Sequence, residues 1–236
     1  MKRLMTNSCM KEVDTVATRI CKVYEKTGIK NDIYLDDMIT GLREKRTLLS
    51  KAIKYARSKF YLKEKVEMRN YYLRSLIYLA QGYSRHPDPT VKLAAQKIEN
   101  VINRYGLSVT GESYPTKPSL FNSMLADLVQ SDMQDAVLSL SGCIELIASL
   151  HAAQEELEQA QIDYEKEKSQ ERIDAKVTDL KEEVTNIINN QLVVYLNAMM
   201  LVDEATYSDF GHIVAEIIED NNEAEKKRQK EPEFAE

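Results

Sequence analysis

The side chains of this sequence that could bind a metal are few and far apart. Three histidines, His86, His151 and His212, are spread over 236 residues. The closest approach to a metal site is Asp209, His212 and Glu216, because their spacing places all three on one helical face. A two-metal centre in a helical bundle needs paired Glu-x-x-His motifs, and the sequence contains none. We interpret this face as an ordinary polar surface and predict no metal site and no cofactor.

Motifs for nucleophilic catalysis and phosphate binding are missing as well. The three cysteines, Cys9, Cys21 and Cys143, are an odd number without Cys-x-x-Cys spacing, which predicts free thiols in a reducing compartment. No Gly-x-Ser-x-Gly motif occurs, and the nearest pair of glycines, Gly106 and Gly111, matches neither a dinucleotide-binding nor a Walker-type loop. We therefore predict no catalytic residue and a protein that is not an enzyme.

A dense group of basic residues is the one positive indication of a binding surface. Between Arg43 and Arg74 the sequence has eleven basic residues and three acidic ones, with tyrosines and Phe60 interleaved. Basic side chains can neutralise phosphates, and aromatic rings can stack on bases. The predicted face for an anionic partner consists of Arg43, Lys51, Lys54, Arg57, Lys59, Lys63 and Lys65. One hypothesis is therefore a sequence-independent nucleic-acid-binding protein.

The distribution of charge supports a different role for the same residues. Residues 1–117 hold 23 Lys and Arg against 12 Asp and Glu, whereas residues 118–236 hold 9 against 26. The basic residues can face the acidic stretch from Glu155 to Glu183 as complementary surfaces of one bundle or of two subunits. Phe60 also falls on an apolar helical seam, which explains it as a core residue. We favour this interpretation over nucleic-acid binding.

The favoured function is a non-catalytic helical scaffold or protein-interaction protein, whose partner is another protein or a second copy of the chain. Nucleic-acid binding through residues 43–74 is the alternative. A membrane-surface anchor ranks third, because basic amphipathic anchors carry Trp or Phe and this chain has no Trp and four Phe. No apolar run has the length of a signal peptide and none reaches about 18 residues, so we predict no membrane partner and a cytoplasmic protein.

Apolar periodicity predicts an all-α protein, a bundle of about seven or eight amphipathic helices that position these residues. Seven glycines and five prolines are few for 236 residues, which favours long helices. The first helix ends near Gly28, and the second carries the apolar positions from Leu35 to Phe60. A third helix from Val66 to Tyr83 ends before Pro87, and a fourth begins at Asp88.

Two long apolar repeats follow in the second half of the chain. Steps of three and four residues connect Cys143 to Tyr164 and Ile173 to Leu201, as in coiled-coil seams. One uninterrupted helix over both would exceed roughly 100 Å, so we predict a long antiparallel hairpin that turns within residues 165–172. Two polar residues on predicted seams, Arg46 and Gln191, can fix the register of packed helices.

The loop-like segment from Gly106 to Pro118 coincides with the change in charge. It predicts a basic half of about four helices over residues 1–117 and an acidic half with the long hairpin over residues 118–222. Residues 223–236 are rich in charge, which predicts a disordered tail. The sequence leaves open whether the two halves form one bundle or two.

Two stretches of the sequence resemble a known family. The first runs from Val91 through Ala94-Ala95, Ile98, Val101 and Tyr105-Gly106 to Tyr114-Pro115-Thr116, and the second comprises Tyr195-Leu196-Asn197-Ala198, Tyr207, Phe210 and Ile213. In these stretches the chain resembles a family of uncharacterised all-helical proteins, a domain of unknown function, that is common in anaerobic gut bacteria. The resemblance implies a cytoplasmic bundle of about seven or eight helices, and it implies no catalytic or ligand residue.

Overall fold

A computed structural model describes residues 1–29, 31–105, 118–170 and 177–230. These residues form helices and connecting segments without a β-strand, so the all-α prediction is confirmed for them. The helices are α1 (Met10–Tyr24), α2 (Ile33–Tyr83), α3 (Pro89–Arg104), α4 (Pro118–Leu128), α5 (Gln134–Leu138), α6 (Cys143–Gln170), α7 (Val177–Asn186), a π-helical segment (Ile187–Leu192), α8 (Val193–Val202) and α9 (Glu204–Lys230).

The chain folds into two compact units. Unit 1 comprises Met1–Arg57 with Glu167–Glu236, and unit 2 comprises Ser58–Lys166. Unit 1 has 21 Lys and Arg against 24 Asp and Glu, and unit 2 has 11 against 14. The strong separation of charge along the sequence is therefore nearly cancelled within each unit. The boundary predicted at residues 106–117 lies outside the described residues.

Unit 1 is built around apolar residues of α1, the first part of α2, and α7 to α9. In α1 the buried residues recur at helical spacing from Val13 to Ile20, so one face of the helix is apolar. The Glu12 carboxylate accepts a hydrogen bond of 2.6 Å from the Cys9 backbone N–H, which satisfies a donor at the start of the helix. Phe210 of α9 is fully buried in this core and stacks at a tilt on Tyr24.

Unit 2 has a core of its own, formed by the second part of α2 and by α3 to α6. The predicted start of α3 is confirmed: the Asp88 carboxylate accepts a hydrogen bond of 2.8 Å from the backbone N–H of Thr90, and Pro89 is the first helical residue. Gly142, with a φ of 83°, forms the tight connection between α5 and α6. A residue with a side chain adopts this conformation only with strain.

The separation of the second and third predicted helices is wrong, because α2 continues without interruption over 51 residues. The residues between the two apolar patterns, from Tyr61 to Lys65, include neither Gly nor Pro, and Leu, Lys and Glu are good helix formers. Nothing local therefore ends the helix. The predicted seam also fails at its end, since Phe60 is 71% exposed whereas Ala52 is buried.

The last apolar repeat is interrupted by the π-helical segment. Leu180 and Val184 are buried as predicted, but Gln191 is exposed and Leu201 is 89% exposed. A π-helical turn contains an extra residue, which rotates the following side chains away from a regular seam. The buried positions of the segment are Ile188, Asn189 and Leu192, and Gln191 lies outside the core of unit 1.

Two further predictions concern the ends of helices. Residues 165–170 belong to α6, and residues 171–176 lie outside the described part of the chain, so the antiparallel hairpin stays a prediction. At the predicted tail, α9 continues to Lys230, and Glu225 is buried. Arg228 forms ion pairs with Glu225 and with Glu12 of α1, which gives this charged helical end a partner in unit 1.

Candidate functional site

Three of the seven predicted basic residues are paired with carboxylates. Arg43 Nη2 lies 3.0 Å from Glu25 Oε1, and Lys63 Nζ lies 3.7 Å from Glu67 Oε1 one helical turn away. Lys65 Nζ lies 2.7 Å from Glu156 Oε2, and only 17% of the Lys65 side chain is exposed. Arg43, Lys63 and Lys65 therefore contribute less free positive charge than the sequence suggests.

The other four basic residues, Lys51, Lys54, Arg57 and Lys59, are exposed on α2. Among the described residues, no carboxylate lies within ion-pairing distance of any of the four. Burial raises the pKa of Asp14, and the positive charges of Arg46 and Lys54 oppose that shift, so Lys54 has an acidic neighbour at longer range. This part of the predicted face is open to an anion.

Two aromatic residues of unit 2 follow Lys59 in the sequence of α2. Phe60 is largely exposed, which corrects its assignment to the core. Tyr61 is also exposed, and Lys65 Nζ lies 4.8 Å from the centre of its ring, within cation–π distance. Lys59 precedes Phe60 in the sequence, and Lys63 follows three residues later, which is about one turn of the helix.

Ion pairs also join basic residues of the first half to acidic residues of the second. Lys45 Nζ lies 2.6 Å from Glu183 Oε2 in unit 1, and Arg104 Nη1 lies 3.3 Å from Asp127 Oδ2 in unit 2. The pairs Lys45–Glu183 and Lys65–Glu156 join the basic residues 43–74 to the acidic stretch Glu155–Glu183, as the charge complementarity predicts, whereas Arg104 and Asp127 lie outside both ranges. Most of their side chains are well exposed, so each pair contributes about 0–1 kcal/mol to stability.

An apolar groove in unit 2 was not predicted from the sequence. It has a volume of about 550 Å³ and lies among the end of α4, α5 and the start of α6. Its rim carries Val129, Leu138 and Ile144, which are 59%, 67% and 48% exposed. Ile147, at its base, is buried, and His151 stands at one end. The sequence does contain an indication of this groove: Leu138 and Ile144 are apolar, but neither belongs to the predicted apolar seam from Cys143 to Tyr164.

The stretch of sequence that forms this groove contains acidic residues and no Lys or Arg. Residues 118–165 contain nine Asp and Glu and no Lys or Arg. The Glu155 carboxylate reaches this end of the groove, since its Oε1 lies 3.4 Å from His151 Nδ1. The two residues lie one turn apart on an exposed face of α6. The groove therefore has a mainly apolar lining and a carboxylate, Glu155, at one end.

A carboxylate in unit 1, Asp32, is held by several hydrogen bonds at the start of α2. It accepts bonds of 2.6 Å from the Tyr207 hydroxyl, of 2.8 and 2.9 Å from the Tyr195 hydroxyl, and of 3.1 Å from the Leu35 backbone N–H. Burial alone would raise the pKa of Asp32, but the hydrogen bonds outweigh it and the pKa is lowered. The arrangement anchors the start of α2 to α8 and α9.

The thiols and histidines do not assemble a reactive centre in the described residues. Burial raises the pKa of the Cys143 thiol to about 11, and burial also raises the pKa of Cys21. His212 is exposed, with Nδ1 3.4 Å from the Ser208 hydroxyl oxygen. No group of three potential metal ligands comes together in the described ranges. Within the same ranges, none of the helices is both long and apolar enough to cross a bilayer.

Comparison with known protein families places the chain in one of them. The model of a family of unknown function, DUF6261, matches residues 61–217, about two thirds of the chain. The chain belongs to this family. No curated protein and no solved structure matches it in the other two comparisons. The DUF6261 range contains the whole apolar groove, whereas Lys51, Lys54, Arg57 and Lys59 lie before it.

Proposed function

We propose that this member of the DUF6261 family is a non-catalytic helical interaction protein, and that its unit 2 groove binds an amphipathic helix of a partner protein. The observation that carries the proposal is the exposure of Val129, Leu138 and Ile144 around a groove of about 550 Å³. Large side chains clustered in this way lose contact with water when a partner covers them, at about 25 cal/mol per Å² of apolar surface.

The groove favours a helical and basic partner. Apolar side chains from the end of α4, from α5 and from the start of α6 line the groove, and an amphipathic helix can contact such a groove with residues spaced three and four apart. Glu155, which lies beside His151 at one end of the groove, would attract Lys or Arg on the flank of such a helix. Complementary charge mainly accelerates association and excludes acidic competitors, while the apolar contacts hold the complex together.

The experiment measures binding of two synthetic helical peptides by fluorescence anisotropy. Both carry Leu at positions i, i+4 and i+7, and the remaining face carries Lys in one peptide and Glu in the other. We expect saturable binding of the Lys peptide and at least about 10-fold weaker binding of the Glu peptide. A full-length protein that binds neither peptide would refute the proposed groove.

The matched variants are Leu138→Ser and Ile162→Ser. Both residues are exposed and belong to unit 2, but only Leu138 lines the groove. Leu138→Ser should weaken binding of the Lys peptide at least about 10-fold, because an apolar contact is lost without a change in charge. Ile162→Ser should bind as the wild type does, and equal losses in both variants would contradict the assignment.

The same proposal includes the cellular setting and the self-association that the sequence suggests. We propose that the protein acts in the cytoplasm of anaerobic gut bacteria and that a second copy of the chain is one of its partners. The exposed apolar rim of unit 2 supports self-association. Sedimentation velocity at several concentrations tests it: a monomer throughout would remove the second copy from the list of partners.

A second candidate function is sequence-independent binding of single-stranded nucleic acid by α2. It is favoured by the exposure of Lys51, Arg57 and Lys59 without an ion-pair partner and by the exposed ring of Phe60. Phosphates would release counterions on contact with the basic residues, and the ring would stack on a base.

Charge reversal tests this candidate. The triple variant Lys51→Glu, Lys54→Glu, Arg57→Glu should bind a labelled oligonucleotide more weakly regardless of its sequence, with a shallower dependence on salt. The control is Lys92→Glu, Lys97→Glu, which changes two exposed cations of α3. No binding by the wild type even at low salt would rule out this candidate and leave the groove proposal untouched.

A further inference from the structure

The first eight residues form an arm that is held by the helices of unit 1. Residues 1–5 have no regular secondary structure, and a turn follows at Thr6 and Asn7. The Leu4 side chain is buried at 1% exposure, and Ser8 is fully buried. This arm therefore occupies a groove rather than lying on the surface.

Two asparagine side chains bind the main chain of the arm at three consecutive residues. Asn189 accepts a hydrogen bond of 2.7 Å from the Leu4 backbone N–H and donates one of 2.9 Å to the Leu4 carbonyl. Asn222 accepts a bond of 2.9 Å from the Met5 backbone N–H and donates one of 2.9 Å to the Arg3 carbonyl. A side-chain amide that pairs with both backbone groups replaces the partner that a neighbouring strand would offer.

Asn189 reaches the arm from the π-helical segment. Its side chain is buried, although Ile188 and Leu192 of the same segment face the core. The extra residue of the π-helical turn lets one short segment present both an apolar face and a buried amide. π-Helical turns occur frequently at functional sites, where they position a side chain that a regular helix would direct elsewhere.

Further contacts of the arm involve its terminal ammonium group and its side chains. The Met1 ammonium group donates a hydrogen bond of 2.9 Å to Asn197 Oδ1. Lys2 Nζ lies 2.8 Å from Glu219 Oε1, and Asn221 Nδ2 donates a hydrogen bond of 2.8 Å to the Ser8 hydroxyl. Lys181 donates to the Thr6 carbonyl at 2.8 Å. Beside the arm, a cleft of about 590 Å³ remains open along α7 and the π-helical segment.

We propose that this groove is a binding site for a non-helical segment of a partner protein, and that the arm occupies it as an intramolecular competitor. The contacts to Arg3, Leu4 and Met5 involve the main chain, so another sequence can make them. Selectivity comes from three side chains of the arm. Lys2 pairs with Glu219, Leu4 is buried two positions later, and the hydroxyl of Ser8, four positions after Leu4, bonds to Asn221. A partner segment needs a basic, a leucine-sized and a small hydroxyl residue at the same spacing. The site lies in unit 1 and does not depend on the unit 2 groove.

The arm must leave the groove before a partner segment binds, because both occupy the same site. A tethered segment has an effective concentration in the millimolar range, so a free peptide of equal affinity is largely excluded. Leu4→Asp in the full-length chain should open the groove, because a buried carboxylate without a partner is strongly unfavourable.

The experiment measures anisotropy of a labelled peptide with the sequence of residues 1–8. We expect saturable binding to the Leu4→Asp protein and at least about 10-fold weaker binding to the wild type. Adding Asn189→Ala to Leu4→Asp should weaken binding at least about 10-fold. Asn190→Ala is the matched control, since this neighbour is exposed and bonds to Asn186 rather than to the arm. A folded Leu4→Asp protein that does not bind the peptide overturns the proposal, as does unchanged binding after Asn189→Ala.

Hydrogen exchange of the wild type gives a second test that needs no variant. If the arm leaves its groove while the helices stay folded, the amides of Leu4 and Met5 exchange faster than the core amides of α9 near Ile217. Exchange of the arm only at the rate of global unfolding would overturn the proposal, because the arm would then be a permanent part of unit 1.

Discussion

Asp32 shows how one residue joins distant elements of unit 1. Its carboxylate receives hydrogen bonds from Tyr195, from Tyr207 and from the first turn of α2. Asp32→Ala should therefore lower the free energy of unfolding by about 2–3 kcal/mol, because a helix cap is lost and two hydroxyls lose their acceptor. Urea denaturation followed by circular dichroism measures the change. Tyr195→Phe, which removes a single donor, should cost about 1 kcal/mol.

The pH dependence of this contribution has a defined sign. The pKa of Asp32 is lowered in the folded protein, so its stabilisation is complete above the ordinary aspartate pKa of about 4 and is lost as the pH falls through the lowered value. The difference in unfolding free energy between wild type and Asp32→Asn should shrink as the pH falls from 7 to 3. A constant difference over that range would contradict the role of the ionised carboxylate.

The cysteines should differ in reactivity. Cys143 and Cys21 are buried with raised pKa values, whereas Cys9 is partly exposed. A thiol-specific reagent at pH 8 should modify one cysteine of the native protein at least about 10-fold faster than the other two, because the thiolate is the reacting form. Peptide mapping should identify the modified residue as Cys9. Three equal rates in native buffer would mean that the core of each unit opens readily.

At the scale of elements, Gly142 controls the connection that places α5 beside α6. Its φ of 83° is unfavourable for any residue with a side chain, so Gly142→Ala should destabilise the protein by about 1–2 kcal/mol. Gly41→Ala is the control, because Gly41 lies within α2 and a methyl group there meets no atom within 4 Å. This change should stabilise α2 by up to about 1 kcal/mol. Thermal unfolding of both variants compares the two effects.

At the scale of the whole molecule, the two hydrophobic clusters belong to different units. Ile98 is fully buried in unit 2, and Phe210 is buried in unit 1. Ile98→Ala should cost about 2–5 kcal/mol and should first increase hydrogen exchange in α3, α4 and α5. Phe210→Ala should do so first in α1, α8 and α9. Identical exchange patterns in the two variants would show that the clusters open as one.

Local features of the sequence determined most of the helices. At the start of α3, the Asp88 carboxylate caps the helix by accepting a hydrogen bond from the backbone N–H of Thr90, only two residues away. The buried positions of α6 from Cys143 to Ala160 follow from helical spacing alone. The absence of strands among the described residues and the membership of the chain in a family of unknown function also agree with what its residues indicate. These features depend on contacts within one or two helical turns, so they can be recognised without knowledge of the fold.

Only the tertiary structure decided which segments share a core and which surfaces stay open. The arm contacts Asn189 and Asn222 across 185 and 217 residues, and the π-helical segment that presents Asn189 has no local signal in the sequence. Phe60 satisfied the apolar spacing of a helix and still lies exposed, because no neighbouring helix covers that face within the described part of the chain. Periodicity specifies that a helix has an apolar face, whereas burial of that face depends on long-range packing.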